Sequence, residues 1–179
     1  MTRLWTGKGD DGTSGLYYGG REPKTSERFE AIGSADEAQA AIGLARAELR
    51  HRPEIDEVLV AVERDLWVLM AELATDDDNR SKLAEGSTLV SAAMIGQLEQ
   101  AITDVAAQFE LPSEFVVPGQ DRASALLDVA RTVVRRAERA AAAVAVDGSH
   151  VIPYLNRLST LLWTLARWVE GQALPSKTD

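Results

Sequence analysis

The stretch "VARTVVRRAERA", Val129 to Ala140, holds the densest set of residues able to do chemistry. On a helix, Arg131, Arg135, Glu138 and Arg139 share one face, while Val129, Val133, Ala137 and Val144 would hold the other toward a core. Like charges four residues apart repel, so three stacked arginines cost helix stability unless anions neutralise them. Two readings stand: a solvated or salt-bridged basic face, or a polyphosphate clamp in which guanidinium forks match phosphate oxygens in pairs.

A second candidate is "TGKGDDGTSG", Thr6 to Gly15. Its glycines can expose successive backbone N–H groups, Lys8 adds a point charge, and Thr6, Thr13 and Ser14 add hydroxyl donors, a combination that suits an anion. Asp10 and Asp11 would repel that anion unless magnesium or a neighbouring cation intervenes. The spacing Gly7-x-Gly9-x-x-Gly12 satisfies a dinucleotide fingerprint, but no buried strand precedes it and no helix opens behind it, and the Walker pattern is missing. A flexible polar N-terminal loop is the plain alternative.

Other positions carry weaker signals. Asp36 falls in the expected first turn of helix one, where the helix dipole alone favours a carboxylate. Asn156, Thr160, Trp163 and Arg167 share a face of the last helix, a pattern that usually means packing with an incidental hydrogen bond. Phe115 in "FVVPG" either enters the core or overhangs a cavity. No Ser-His-Asp arrangement or general-base system is visible, so acid/base catalysis by side chains is not indicated. The absence of cysteine excludes disulfides and thiolate chemistry, and two histidines make no metal cluster.

These residues need elements to position them. Ser34 and Glu37 fit a capping box, placing the start of helix one at Ser34, with Ile42, Ala45 and Leu49 down its apolar stripe and Pro53 after it. Apolar spacing predicts further helices over 54–75, 87–109 and 121–146, and a fifth with Pro153 in its first turn, ending near Gly171. "TDDDNRSKLAEGS" reads as an exposed connection. Leu16 to Arg21 reads as irregular chain or a weak edge strand. The fold expected is all-α, a five-helix up-and-down bundle in one domain, with residues 1–33 as phosphate-binding loop and extended segment, 34–172 as the bundle and 173–179 as a tail. A net charge of -9 argues against nucleic acid. With no apolar run of membrane-spanning length and no signal-peptide core, a cytoplasmic protein without membrane contact is expected.

Taken together, "TGKGDDGTSGLYYGG", "EAIGSADEAQAAIGLARAEL", "FVVPG", "VARTVVRRAER" and "LNRLSTLLWTLAR" occur in the order seen in PduO-type ATP:cob(I)alamin adenosyltransferases, and the chain resembles that family over almost its whole length. The resemblance implies a homotrimer with sites between subunits, where a cobalt(I) corrinoid attacks the 5′ carbon of ATP to give adenosylcobalamin and tripolyphosphate. It implies ATP and cobalamin as substrates, magnesium, and a flavin reductase and an adenosylcobalamin-dependent acceptor enzyme as partners. By the same resemblance Thr6, Gly7, Lys8, Gly9, Asp10, Gly12 and Thr13 contact phosphates. Arg131, Arg135 and Asp36 are catalytic, Asp36 pairing with Arg131 near the corrin. Glu138 lies on the nucleotide and magnesium side and is the metal candidate. Phe115 covers the lower face of the corrin and Asn156 lies near the nucleotide.

The chain departs from the family pattern at Gly7 and Lys8, which set the lysine one place later, and at Gln39 and Gln120. Asp128 stands where a histidine is usual and Thr160 where an acid is. The last two predict an extra negative charge facing the corrin and a looser arginine network. A non-catalytic nucleotide- or corrinoid-binding carrier or sensor is the alternative they motivate.

Overall fold

The computed structural model describes residues 5–177; of the expected N-terminal segment and tail, residues 1–4 and 178–179 lie outside it. Five α-helices make the body: α1 (Glu27–Leu49), α2 (Pro53–Leu73), α3 (Ala92–Ala106), α4 (Arg122–Ala141) and α5 (Val151–Glu170). A short 3-10 helix, Asp77–Lys82, follows α2. Two small antiparallel ladders decorate the bundle: β1 (Thr13–Gly15) with β2 (Arg21–Pro23), and β3 (Val116–Val117) with β4 (Leu174–Pro175).

The expected start of α1 is wrong by two turns. Ser26, not Ser34, is the N-cap, accepting from the Phe29 N–H at 3.3 Å, with Glu27 and Glu30 in the first turn. Ser34 is buried inside the helix. Pro23 and Ser26 form a complete stop-and-cap signal, and the good helix formers between Glu27 and Ala35 outweigh the roughly 1 kcal/mol cost of one interior glycine at Gly33. The Ser-x-x-Glu pattern at Ser34 is coincidental. The helix that reaches Ala106 begins at Ala92 rather than Ser87, because Ser91 caps it with a bond from the Met94 N–H. At α4, Asp121 accepts from the N–H groups of Ala123 and Ser124, fixing the start where the sequence placed it. That helix stops at Ala141, short of the expected Val146. Pro153 lies in the first turn of α5, where its missing N–H costs nothing.

Cross-links fix the helix directions. Gln39 on α1 donates to the Glu63 carbonyl on α2, and Arg46 reaches back to Asp56, so α1 and α2 are antiparallel. Arg122 pairs with Glu48 and Arg136 with Glu37, so α4 runs antiparallel to α1. Arg167 on α5 meets Asp128 on α4. The α1–α4 seam is lined by small buried residues, among them Ala31, Ala35, Ala38, Ala130 and Ala137, which let the two helices approach closely. Val129, expected in the core, faces solvent.

The base of the bundle is tied by Glu72, buried near the end of α2. Its carboxylate accepts from Arg80 and Ser149 at 2.6 Å each and from the Val90 N–H at 2.8 Å. Three chain segments far apart in sequence therefore converge on one anion. The exposed connection after Ala74 is thus pinned rather than loose, and the tail after Gly171 is paired to β3.

Candidate active site

The N-terminal loop folds by short-range bonds. Asp10 N–H donates to the Gly7 carbonyl and Gly12 N–H to that of Gly9, each at 3.2 Å, and Gly7 and Gly12 take positive φ that only glycine adopts freely. Asp11 accepts from the Thr13 N–H and hydroxyl at 2.9 and 2.8 Å, and these bonds, with the nearby Arg21 guanidinium, hold its carboxyl below the ordinary range. Arg21, on β2, also donates to the Thr13 hydroxyl and to the Lys8 carbonyl. The Lys24 ammonium lies 3.1 Å from where a side chain on Gly9 would begin. Arg21 is therefore the neighbouring cation that Asp11 required, and Lys24 adds a second positive charge at the loop. Sequence reasoning missed both, since lone basic residues after Gly19-Gly20 carry no motif. The hairpin is anchored to the bundle by Tyr17 N–H to the Ala74 carbonyl and by the Tyr18 hydroxyl to that of Lys82.

On α4 the four residues of the basic face have different fates. Arg131 Nε donates to Asp128 at 2.9 Å. Arg135 and Arg139 are exposed, and neither has an ion-pair or hydrogen-bond partner among the described residues. Glu138 accepts from the Asn156 amide at 3.1 Å, bringing two predicted site residues together from adjacent helices. Arg157 in turn donates to Asn156 and pairs with Glu99. The Thr160 hydroxyl bonds back to the Asn156 carbonyl at 3.3 Å within α5.

Asp36 is in the interior of α1, not its first turn, so the dipole explanation falls away. It is exposed, and within the chain it does not meet Arg131, which turns to Asp128 instead. No hydrogen bond or ion pair among the described residues joins the loop Thr6–Thr13 to Arg131, Arg135 or Glu138.

Phe115 is 89% exposed, which removes the core-packing reading. It stands on a short strap held by the β3–β4 ladder and by the Ser176 N–H, which donates to the Phe115 carbonyl at 2.7 Å. Beneath it opens a pocket of about 460 Å³ whose wall includes Asp128, Arg131, Trp163 and Arg167. Asp128 is only 6% exposed and Arg167 2%. Arg167 donates to Asp128 at 2.6 Å, so the aspartate lies between two guanidiniums and its charge is offset rather than presented to a ligand. Glu170 Oε1 lies 2.9 Å from Arg167 Nε at an angle that makes no hydrogen bond, and neither Glu170 oxygen accepts one. Burial pushes the Glu170 carboxyl upward, Arg167 opposes this and Asp128 adds to it. The sequence signal for Arg167 was present: an arginine among Leu161, Leu162, Leu165 and Ala166 must be paired if that face is buried.

With this geometry in view, residues 4–169 match the family model for cobalamin adenosyltransferase. The chain is 43% identical over 173 residues to a corrinoid adenosyltransferase of Mycobacterium tuberculosis, covering 93% of this chain and 88% of the relative. It is 38% identical over 170 residues to one of Citrobacter freundii, covering 93% and 94%. In architecture it resembles a phenylalanine-to-histidine variant of the PduO-type ATP:corrinoid adenosyltransferase from Lactobacillus reuteri complexed with cobalamin and ATP. That match has a TM-score of 0.88 at 22% identity and covers 98% of this chain and 97% of the other. The fold, the arginine helix and the near full-length match to these relatives agree: the chain belongs to the cobalamin adenosyltransferase family.

Proposed function

We propose that the chain is an ATP:corrinoid adenosyltransferase, transferring the 5′-deoxyadenosyl group of ATP to a cobalt(I) corrinoid such as cob(I)alamin and releasing tripolyphosphate. One observation carries the reading. A single helix, α4, sets Arg131 in the open pocket under Phe115 and, one and two turns on, presents Arg135 and Arg139 without carboxylate partners among the described residues. At 1.5 Å of rise per residue, Arg131 and Arg135 are about 6 Å apart along the axis, so a corrin ring and a polyphosphate can lie side by side.

In the reaction the electron pair of cobalt(I) becomes the new bond to C5′ while the C5′–O bond breaks, and the leaving triphosphate departs with the electron pair of that C5′–O bond. No proton need move at the reacting carbon, which suits a site without a general base. The protein's work is to hold the two substrates in line and to stabilise charge growing on the leaving oxygen. Arg135 would do so from α4, Lys8 from the loop and Lys24 from the chain just after β2, while Asp11 is offset by Arg21 and bonded by Thr13. Phe115 would occupy the lower face of the corrin and keep water and a lower ligand away. Magnesium brought with the triphosphate would spread the same charge. Glu138, with one oxygen bonded to Asn156, fits the one-carboxylate-plus-phosphate environment that this ion favours.

That no hydrogen bond or ion pair among the described residues joins the loop to the α4 arginines is in keeping with a site completed by a neighbouring copy, as in a homotrimer, with Asp36 meeting a neighbour's Arg131. A flavin reductase supplying the low-valent corrinoid and an acceptor enzyme using the product complete the expected partners, in a cytoplasmic setting; no helix among the described residues is long and apolar enough to cross a membrane. The carrier or sensor alternative has no specific support, since Gln39, Asp128 and Thr160 each have a structural partner. The test is to mix the protein with ATP, magnesium and chemically reduced cobalamin and follow the cob(I)alamin spectrum. Conversion to adenosylcobalamin is expected; folded protein that leaves the spectrum unchanged overturns the reading.

A further inference from the structure

The two arginines in the pocket under Phe115 do not stand independently, because one carboxylate holds both. Asp128 offers Oδ1 to Arg131 Nε at 2.9 Å and Oδ2 to Arg167 NH2 at 2.6 Å, from a position almost closed to solvent. We infer that Asp128 is a positioning residue for corrinoid binding: it fixes the Arg131 guanidinium over the pocket and locks it, through Arg167, to α5. The inference rests on the adenosyltransferase reading.

Geometry supports each link. Arg131 is bound through Nε, so its terminal nitrogens keep their N–H groups, and no partner for them occurs among the described residues. A guanidinium anchored on one edge presents the other as a preformed fork, whereas a free arginine would lose several rotamers on meeting a ligand. Its two terminal nitrogens can be shared between the neighbouring copy's Asp36 proposed above and the carboxamide carbonyls that ring a corrin. Arg167 is buried and needs an anion. Glu170 is close but misaligned for a hydrogen bond, which leaves Asp128 as the aligned carboxylate. The histidine usual at this position in the family pattern could not do the same, since a neutral imidazole has one acceptor and a charged one has none. The departure that looked like a liability in the sequence thus becomes the brace of the pocket floor.

The test is steady-state adenosylation with each substrate varied separately. Asp128→Asn keeps the size but turns one acceptor into a donor facing a guanidinium, and is expected to raise the KM for cob(I)alamin about 10-fold while the KM for ATP stays within about twofold. If that variant does not fold, Asp128→Glu carries the test: it retains both acceptors on a longer arm, and a rise of about threefold in the corrinoid KM alone is expected. A corrinoid KM unchanged in the folded variant overturns the inference. So does an equal rise for both substrates, because a purely structural role would not separate them. An inactive parent chain instead overturns the functional reading, so the two failures are distinguishable.

Discussion

At the residue scale, the arginines of α4 divide by whether the fold has already satisfied them. Arg131 has a carboxylate partner, while Arg135 has none and stands in solvent as a cation held ready for an anion. Arg135→Ala is therefore expected to lower kcat/KM about 100-fold, the scale of losing one donor to a developing oxyanion, with little change in stability because no native partner is stranded. Arg21→Ala should behave differently. It removes the bonds that hold Thr13 and the Lys8 carbonyl, so the KM for ATP should rise several-fold while that for the corrinoid does not move. Initial rates with each substrate varied in turn check both. Such differences were only half legible in the sequence. The stripe Arg131, Arg135, Arg139 follows from helical period alone, but whether a given arginine is paired depends on Asp128 and on the distant Arg167, which no local pattern connects.

At the scale of elements, the ladder between β3 and β4 is only two residue pairs long, yet it carries the strap bearing Phe115. Ser176→Pro deletes the N–H that donates to the Phe115 carbonyl without touching the bundle. The expected outcome is a higher KM for the corrinoid, an unchanged KM for ATP and a melting temperature close to that of the parent. Equal effects on both substrates would show that the strap does not serve the corrin. The helices themselves were largely readable, because apolar spacing and the start at Asp121 are local signals, whereas the cap at Ser91 went unread. The start of α1 was not, since two serines compete for the cap and the decision lies in the upstream proline and the propensity between them. The tail strand was invisible for another reason: a two-residue pairing across nearly sixty residues leaves no periodicity to find.

For the whole molecule, charges are distributed so that the interior carries pairs and the surface carries the unpaired cations of the site. Glu170 is the least well satisfied of them, a carboxyl paired with Arg167 at 2.9 Å but without an aligned hydrogen bond, its pKa raised by burial, with Arg167 and the Ser124 hydroxyl opposing and Asp128 and Asp121 adding to it. A raised folded-state pKa means that the folded protein takes up its proton more readily than the unfolded chain, so the stability it contributes is present at low pH and is lost as pH rises through that value. Glu170→Gln lacks this loss, and its stability relative to the parent should improve as pH rises from the ordinary glutamate range through the raised folded-state value, read from urea midpoints; a constant difference would contradict the assignment. The exposed ring of Phe115 has a consequence for energetics as well. If corrinoid binding buries about 150 Å² of that ring, at about 0.45 cal/mol/K per Å² the event carries a heat-capacity decrease of roughly 70 cal/mol/K from this one side chain. Titration calorimetry at several temperatures should show the decrease, smaller by roughly 50 cal/mol/K in Phe115→Ala. The ring that stands in water is thus a thermometer of occupancy: its hydration makes the affinity for corrinoid depend on temperature in a way that the buried helices do not.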